Sequence, residues 1–115
     1  MTLFSQTQGR RETQGKVLNS TAEFTLLDPP KSAVVTLESV SICNPTASPI
    51  DFNLTWNEGT TAFTILNEIE IAADSTTIID NHHVTVQKTQ TLKAQGSAAG
   101  LVLVYVIVRS HPSQK

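Results

Sequence analysis

The sequence predicts an all-β domain: a two-sheet antiparallel sandwich, jelly-roll-like, with an extended N-terminal arm. Three observations predict it. Short β-branched and apolar runs alternate with turn clusters at the spacing typical of all-β domains. Residues 50–56 alternate strictly, with Ile50, Phe52, Leu54 and Trp56 on one face and Asp51, Asn53 and Thr55 on the other. Sixteen threonines and many Val and Ile are poor helix formers, and Pro and Gly interrupt at loop spacing. The 115 residues make one domain, able to bury about two thirds of its unfolded surface in a single core.

Residues 1–16 are polar, rich in Gln, Thr and Arg, and show no apolar period. They read as an extended arm that gains order only against something else. The sandwich spans 17–110, and 111–115 form a tail. A strand at 23–27 stops at Asp28-Pro29-Pro30, because proline has no N–H for a ladder. Residues 33–43 change parity: Val35 and Leu37 share one face, Val40 and Ile42 the other. A β-bulge near Glu38-Ser39 restores a single inward face. After a loop at 44–49 and the strand at 50–56, residues 57–60 turn the chain into a hairpin partner at 61–65. A separate strand follows at 68–73, with Ile69, Ile71 and Ala73 inward. Helix competes only at 67–73, where the two-residue period favours strand. Strands at 76–79, 84–87, 91–94 and 101–109 complete a set of eight or nine, the dimension of a sandwich.

The last strand is apolar on both faces. Leu101, Leu103, Tyr105 and Ile107 share one parity, and Val102, Val104, Val106 and Val108 the other. Such a strand needs cover on both sides, while a sandwich core supplies one. The arm or a neighbouring subunit could supply the second cover, or loops could shield the strand.

Composition narrows the partners. The net charge is −2 and the basic residues are scattered, whereas a nucleic-acid surface needs clustered Lys and Arg. Arg10, Arg11 and Lys16 form the nearest approach to a patch, with Glu12 among them, and read as a solvated arm. No nucleic-acid partner is expected. Residues 101–108, the longest apolar run, are too short for a membrane helix, so no membrane partner is expected. Cys43 is the one cysteine, which rules out an intramolecular disulfide, fits a reducing compartment and reads as a small buried hydrophobe. Residues 1–8 show no basic region followed by an apolar stretch, so no signal peptide is expected. The glycosylation patterns Asn19-Ser20-Thr21 and Asn53-Leu54-Thr55 are then coincidental.

No catalytic centre is legible. His82-His83 beside Asp80 is the one candidate metal site, but adjacent strand residues point to opposite faces. A third ligand, Asp74 or His111, could arrive only through the fold, so an exposed turn without metal is expected. Glu68 and Glu70 could imitate a glycosidase pair, yet their alternation with Ile69 and Ile71 accounts for them as solvent-facing residues. No cofactor is expected, and the chain reads as no enzyme. Sugar sites present exposed aromatics, whereas aromatics are 5% of this chain and Phe52, Trp56 and Phe63 fall at expected core positions. A carbohydrate-binding or receptor-binding module remains the alternative reading.

The order of elements carries a resemblance. Ala33-Val34-Val35-Thr36-Leu37 leads through Val40-Ser41-Ile42-Cys43-Asn44 to a polar loop and then Ile50-Asp51-Phe52-Asn53-Leu54-Thr55-Trp56. A hairpin, Leu92-Lys93-Ala94, Ser97-Ala98-Ala99-Gly100 and the valine strand follow. Across 17–110 this resembles small β-sandwich virion structural proteins of tailed bacteriophages and gene transfer agents. Gln87-Lys88-Thr89-Gln90 stands where such proteins often carry a Gly-Asp turn. The resemblance implies a virion component assembled in the host bacterial cytoplasm: a capsid decoration, spike-base or head-tail junction protein. Its partners would be itself, as a homo-oligomer, and other virion proteins. It marks a fold and transfers no site residues. From the residues themselves, the expected assembly surface is Arg10, Arg11, Val102, Val104, Val106 and Val108.

Overall fold

The computed structural model describes residues 10–28, 34–80 and 83–110. Nine strands make two antiparallel sheets. They are β1 (Arg10–Leu18), β2 (Phe24–Leu27), β3 (Val34–Asn44), β4 (Ile50–Glu58), β5 (Thr61–Ile71), β6 (Ser75–Ile79), β7 (Val84–Val86), β8 (Gln90–Gly96) and β9 (Leu101–Ser110). Sheet A runs β1-β9-β3-β6, with β7 also on β3, and sheet B runs β2-β8-β4-β5. Strands β6 and β7 flank the same edge of β3, β6 along Val40–Asn44 and β7 along Val35–Leu37. Counted as one broken strand, they complete the eight positions of a jelly roll, the fold class expected from the sequence.

The core lies between the sheets. Val35, Leu37, Val40, Ile42, Leu101, Leu103 and Ile107 come from sheet A, and Ile50, Phe52, Leu54, Ile71 and Leu92 from sheet B, all almost fully buried. The expected bulge is present: the β3–β9 register shifts between Leu37 and Ser39, so Val35, Leu37, Val40 and Ile42 all face inward. That same shift turns Cys43 outward. It is half-buried on the outside of sheet A rather than in the core.

Other boundaries differ from the sequence reading. Residues 10–16 of the expected arm belong to β1, paired residue for residue with β9 from Arg10↔Arg109 to Leu18↔Leu101. Their polarity hid the strand, because β1 is an edge strand whose backbone bonds need no apolar period. Residues 1–9 and the tail at 111–115 lie outside the described residues. The expected strands at 61–65 and 68–73 are one strand, β5, with register shifts against β4 on both sides of Leu54. Glu68 absorbs the irregularity with φ of 53°, and its N–H donates to Asn53 Oδ1 at 2.7 Å. Phe63, expected in the core, is 50% exposed. It sits on the outermost strand of sheet B, its ring 5.6 Å from that of Trp56.

Buried Asn44 ties one end of the sandwich together. Its amide Nδ2 donates to Ser48 O at 2.8 Å and Ile71 O at 2.9 Å, and its Oδ1 accepts from Thr46 N at 3.0 Å. Gly100 packs against the same loop with φ of 127°, where a Cβ would meet Thr46 Cγ2 at 2.7 Å. At the other end Trp56 Nε1 donates to Thr85 O at 3.1 Å, linking sheet B to β7 of sheet A.

Candidate association surface

The strand registers fix which side chains share the outer face of sheet A, because directly paired residues point the same way. One row runs Val17, Val102, Cys43, Thr76, and the next runs Gly15, Val104, Ser41, Ile78. A third begins Thr13, Val106, Ser39, and a fourth runs Arg11, Val108, Thr36, Thr85. All four valines expected at the assembly surface therefore lie outward in one line. Leu101, Leu103, Tyr105 and Ile107 fill the inner side of the same strand.

Burial is uneven along this face. Val104 is 46% exposed, while Val102, Val106 and Val108 are half-buried among their neighbours. Val17 at 52% and Ile78 at 64% extend the apolar surface to both edges of the sheet. Sequence reasoning missed both. Val17 sat at the junction of the supposed arm, and the adjacent Ile78-Ile79 pair gives no parity until β3 fixes the register.

Among the described strand residues of this face, charge lies at one corner. Among the strand residues of this face, the ionised side chains are Arg11 and Glu38. They meet in a two-pronged contact, Nε to Oε1 at 2.9 Å and Nη2 to Oε2 at 3.1 Å. The hydrogen bond from Arg11 holds the Glu38 carboxyl below the usual carboxylate range, and the same contact raises the Arg11 guanidinium. Both groups are solvent-facing, so the pair organises the corner more than it stabilises the fold. Thr36 and Thr85 add a hydroxyl–hydroxyl bond of 3.1 Å beside it. Arg10, the remaining expected surface residue, is exposed but lies one position out of phase with Arg11 and the outward valines.

On the inner side of β1, Glu12 accepts from Arg109 at 3.4 Å, and Lys16 places its ammonium 5.2 Å from the centre of the Phe24 ring. Lys16 is thus half-buried across the mouth of the sandwich rather than solvated on an arm. Burial raises the Tyr105 hydroxyl above its ordinary value, and that hydroxyl donates to Leu26 O at 3.4 Å.

The remaining candidates build no metal site among the described residues. His83 is exposed, and His82 lies outside the described residues. Glu68 and Glu70 are exposed on the edge strand β5. Among the described residues, no three His, Cys, Asp or Glu side chains come together as a metal site.

No protein-family model matches the chain, and no curated protein matches it significantly in sequence. Solved structures do resemble it. A protein of Bacillus endospore appendages, described as disulfide-linked pili, overlays with a TM-score of 0.54 at 14% identity, over 91% of this chain and 88% of that one. A chain of infectious bursal disease virus, Gx strain, overlays with a TM-score of 0.50 at 9% identity. It covers 94% of this chain and 35% of the viral chain. A carbohydrate-binding module of Cellvibrio mixtus lichenase 5A covers 95% of the chain at 15% identity, with a TM-score of only 0.37. At such identities the likeness is one of fold.

Proposed function

We propose that the chain is a non-enzymatic structural subunit of a phage-like particle, a capsid decoration, spike-base or head-tail junction protein. One observation carries the reading: among the described residues, a line of valines points out of sheet A away from the core, with Val17, Val104 and Ile78 about half exposed or more. Contiguous exposed apolar surface of this kind marks an interaction site. The strand order along residues 17–110, which resembles phage virion proteins, points to the particle. Two overlays with a TM-score of 0.50 or more, with a pilus protein and a virus chain, are with parts of larger assemblies, which supports the reading. Many copies on one particle would let a modest interface hold through avidity.

Mass spectrometry of purified particles, paired with antibody labelling in electron micrographs, tests the reading. The chain is expected in a fixed ratio to the major particle protein, with label at a regular position. Intact particles that lack the chain would contradict it.

A further inference from the structure

We infer that the outer face of sheet A binds the same face of a second copy, the two related by a two-fold axis. The inference rests on reading this face as the association surface, and it names the occupant.

A two-fold interface sets each patch against itself, so any net charge on the patch would meet its own sign. The outer face of sheet A satisfies this condition. Its ionised strand residues, Arg11 and Glu38, already neutralise each other at 2.9 Å. The centre of the face is built from uncharged side chains, the row Gly15, Val104, Ser41 and Ile78 among them. The outer face of sheet B fails the same condition, because Asp51 pairs directly with Glu70 and Lys93 lies between Thr25 and Thr55.

Shape and area agree. Gly15, Ser39 and Ser41 are small, and side chains of this size leave the relief shallow enough for sheet-on-sheet packing at about 10 Å. Four strands spaced about 4.8 Å apart, with nine residues along β1, give a face of roughly 19 by 27 Å. Two such faces bury about 1,000 Å², the lower limit at which an interface holds two chains. The pair is therefore expected to form and dissociate with concentration.

Sedimentation velocity on a dilution series of the full chain tests this, using Val104→Lys and Val104→Asp alone and mixed. The wild-type mass is expected to rise from 12.5 kDa towards twice that value with concentration. Each charged variant alone should associate at least tenfold more weakly, because two like charges meet near the axis. An equimolar mixture of the two should associate more strongly than either alone. Circular dichroism checks that both variants stay folded. If they do not, Ile78→Lys and Ile78→Asp, at the most exposed apolar position, replace them.

A mixture no stronger than its components would overturn the two-fold pairing. A wild-type chain that stays monomeric, while particles retain it and lose Val104→Asp, would also overturn the second copy as occupant. It would leave the structural-subunit reading standing, with another particle protein on the face. Particles that lack the wild-type chain would sink that reading itself.

Discussion

The two sheets contribute alike to the core and differ outside. Facing solvent, sheet B carries Asp51, Asn53, Thr55, Lys93, Gln95 and Glu70, the polar half of an ordinary alternating pattern. Sheet A carries Val102, Val104, Val106 and Val108 with Thr, Ser and Gly neighbours. Folding explains the first face completely, since a one-sided sheet needs polar residues outward. It does not explain the second, because outward valines add nothing to the sandwich core. This difference is what the proposed association surface rests on: a polar exterior on sheet B and a largely uncharged, valine-lined exterior on sheet A.

The largest effects should come from the parity on which this contrast depends. Leu103→Ala is expected to cost roughly 2–5 kcal/mol by denaturant unfolding, as is Leu54→Ala on the opposing sheet, since both side chains are buried at the centre. Val104→Ala, one residue along β9 and outward, should stay within about 0.5 kcal/mol of wild type. A reversal of the Leu103 and Val104 effects would break the comparison at its root.

A smaller loss is expected from Asn44→Ala, because Ile71 O and Ser48 O would lose their buried donor. Leaving such groups unpaired costs about 1–3 kcal/mol. A thermal midpoint unchanged by the substitution would mean that the loop does not need this hub.

The smallest effect belongs to the charged corner. The folded-state pKa of Glu38 is lowered, chiefly by the hydrogen bond from Arg11. Its contribution is therefore present above the unfolded carboxylate pKa and is lost as pH falls through the folded value. The stability difference between wild type and Glu38→Gln should accordingly be slight near neutrality, shrink on acidification and shrink with added salt. A difference that grew in acid would contradict the assigned pairing.

Much of the fold was legible because burial writes a two-residue period into the chain. The inward set of β4, the β3 bulge and the two-sided β9 all follow from alternation alone. The parts that escaped are those where burial imposes no period. Residues 10–16 hold their place through backbone bonds to β9, which polar side chains permit as readily as apolar ones. The irregularity at Glu68 is accompanied by a bond from its N–H to the side-chain Oδ1 of Asn53, fifteen residues away. The four valines of the surface were readable, whereas Val17 and Ile78 needed the registers with β9 and β3 before their direction was defined.

One measurement tests the contrast between the faces most directly: sedimentation equilibrium of the wild type beside Val104→Asp on sheet A and Thr55→Asp on sheet B. Both positions lie on strands inside their sheets and face away from the core, so the two aspartates differ chiefly in which face they charge. The account predicts a concentration-dependent mass for the wild type and for Thr55→Asp, and a monomer of 12.5 kDa for Val104→Asp at the same concentrations. Equal association by both variants, or loss only in Thr55→Asp, would contradict the assignment of sheet A's outer face as the association surface.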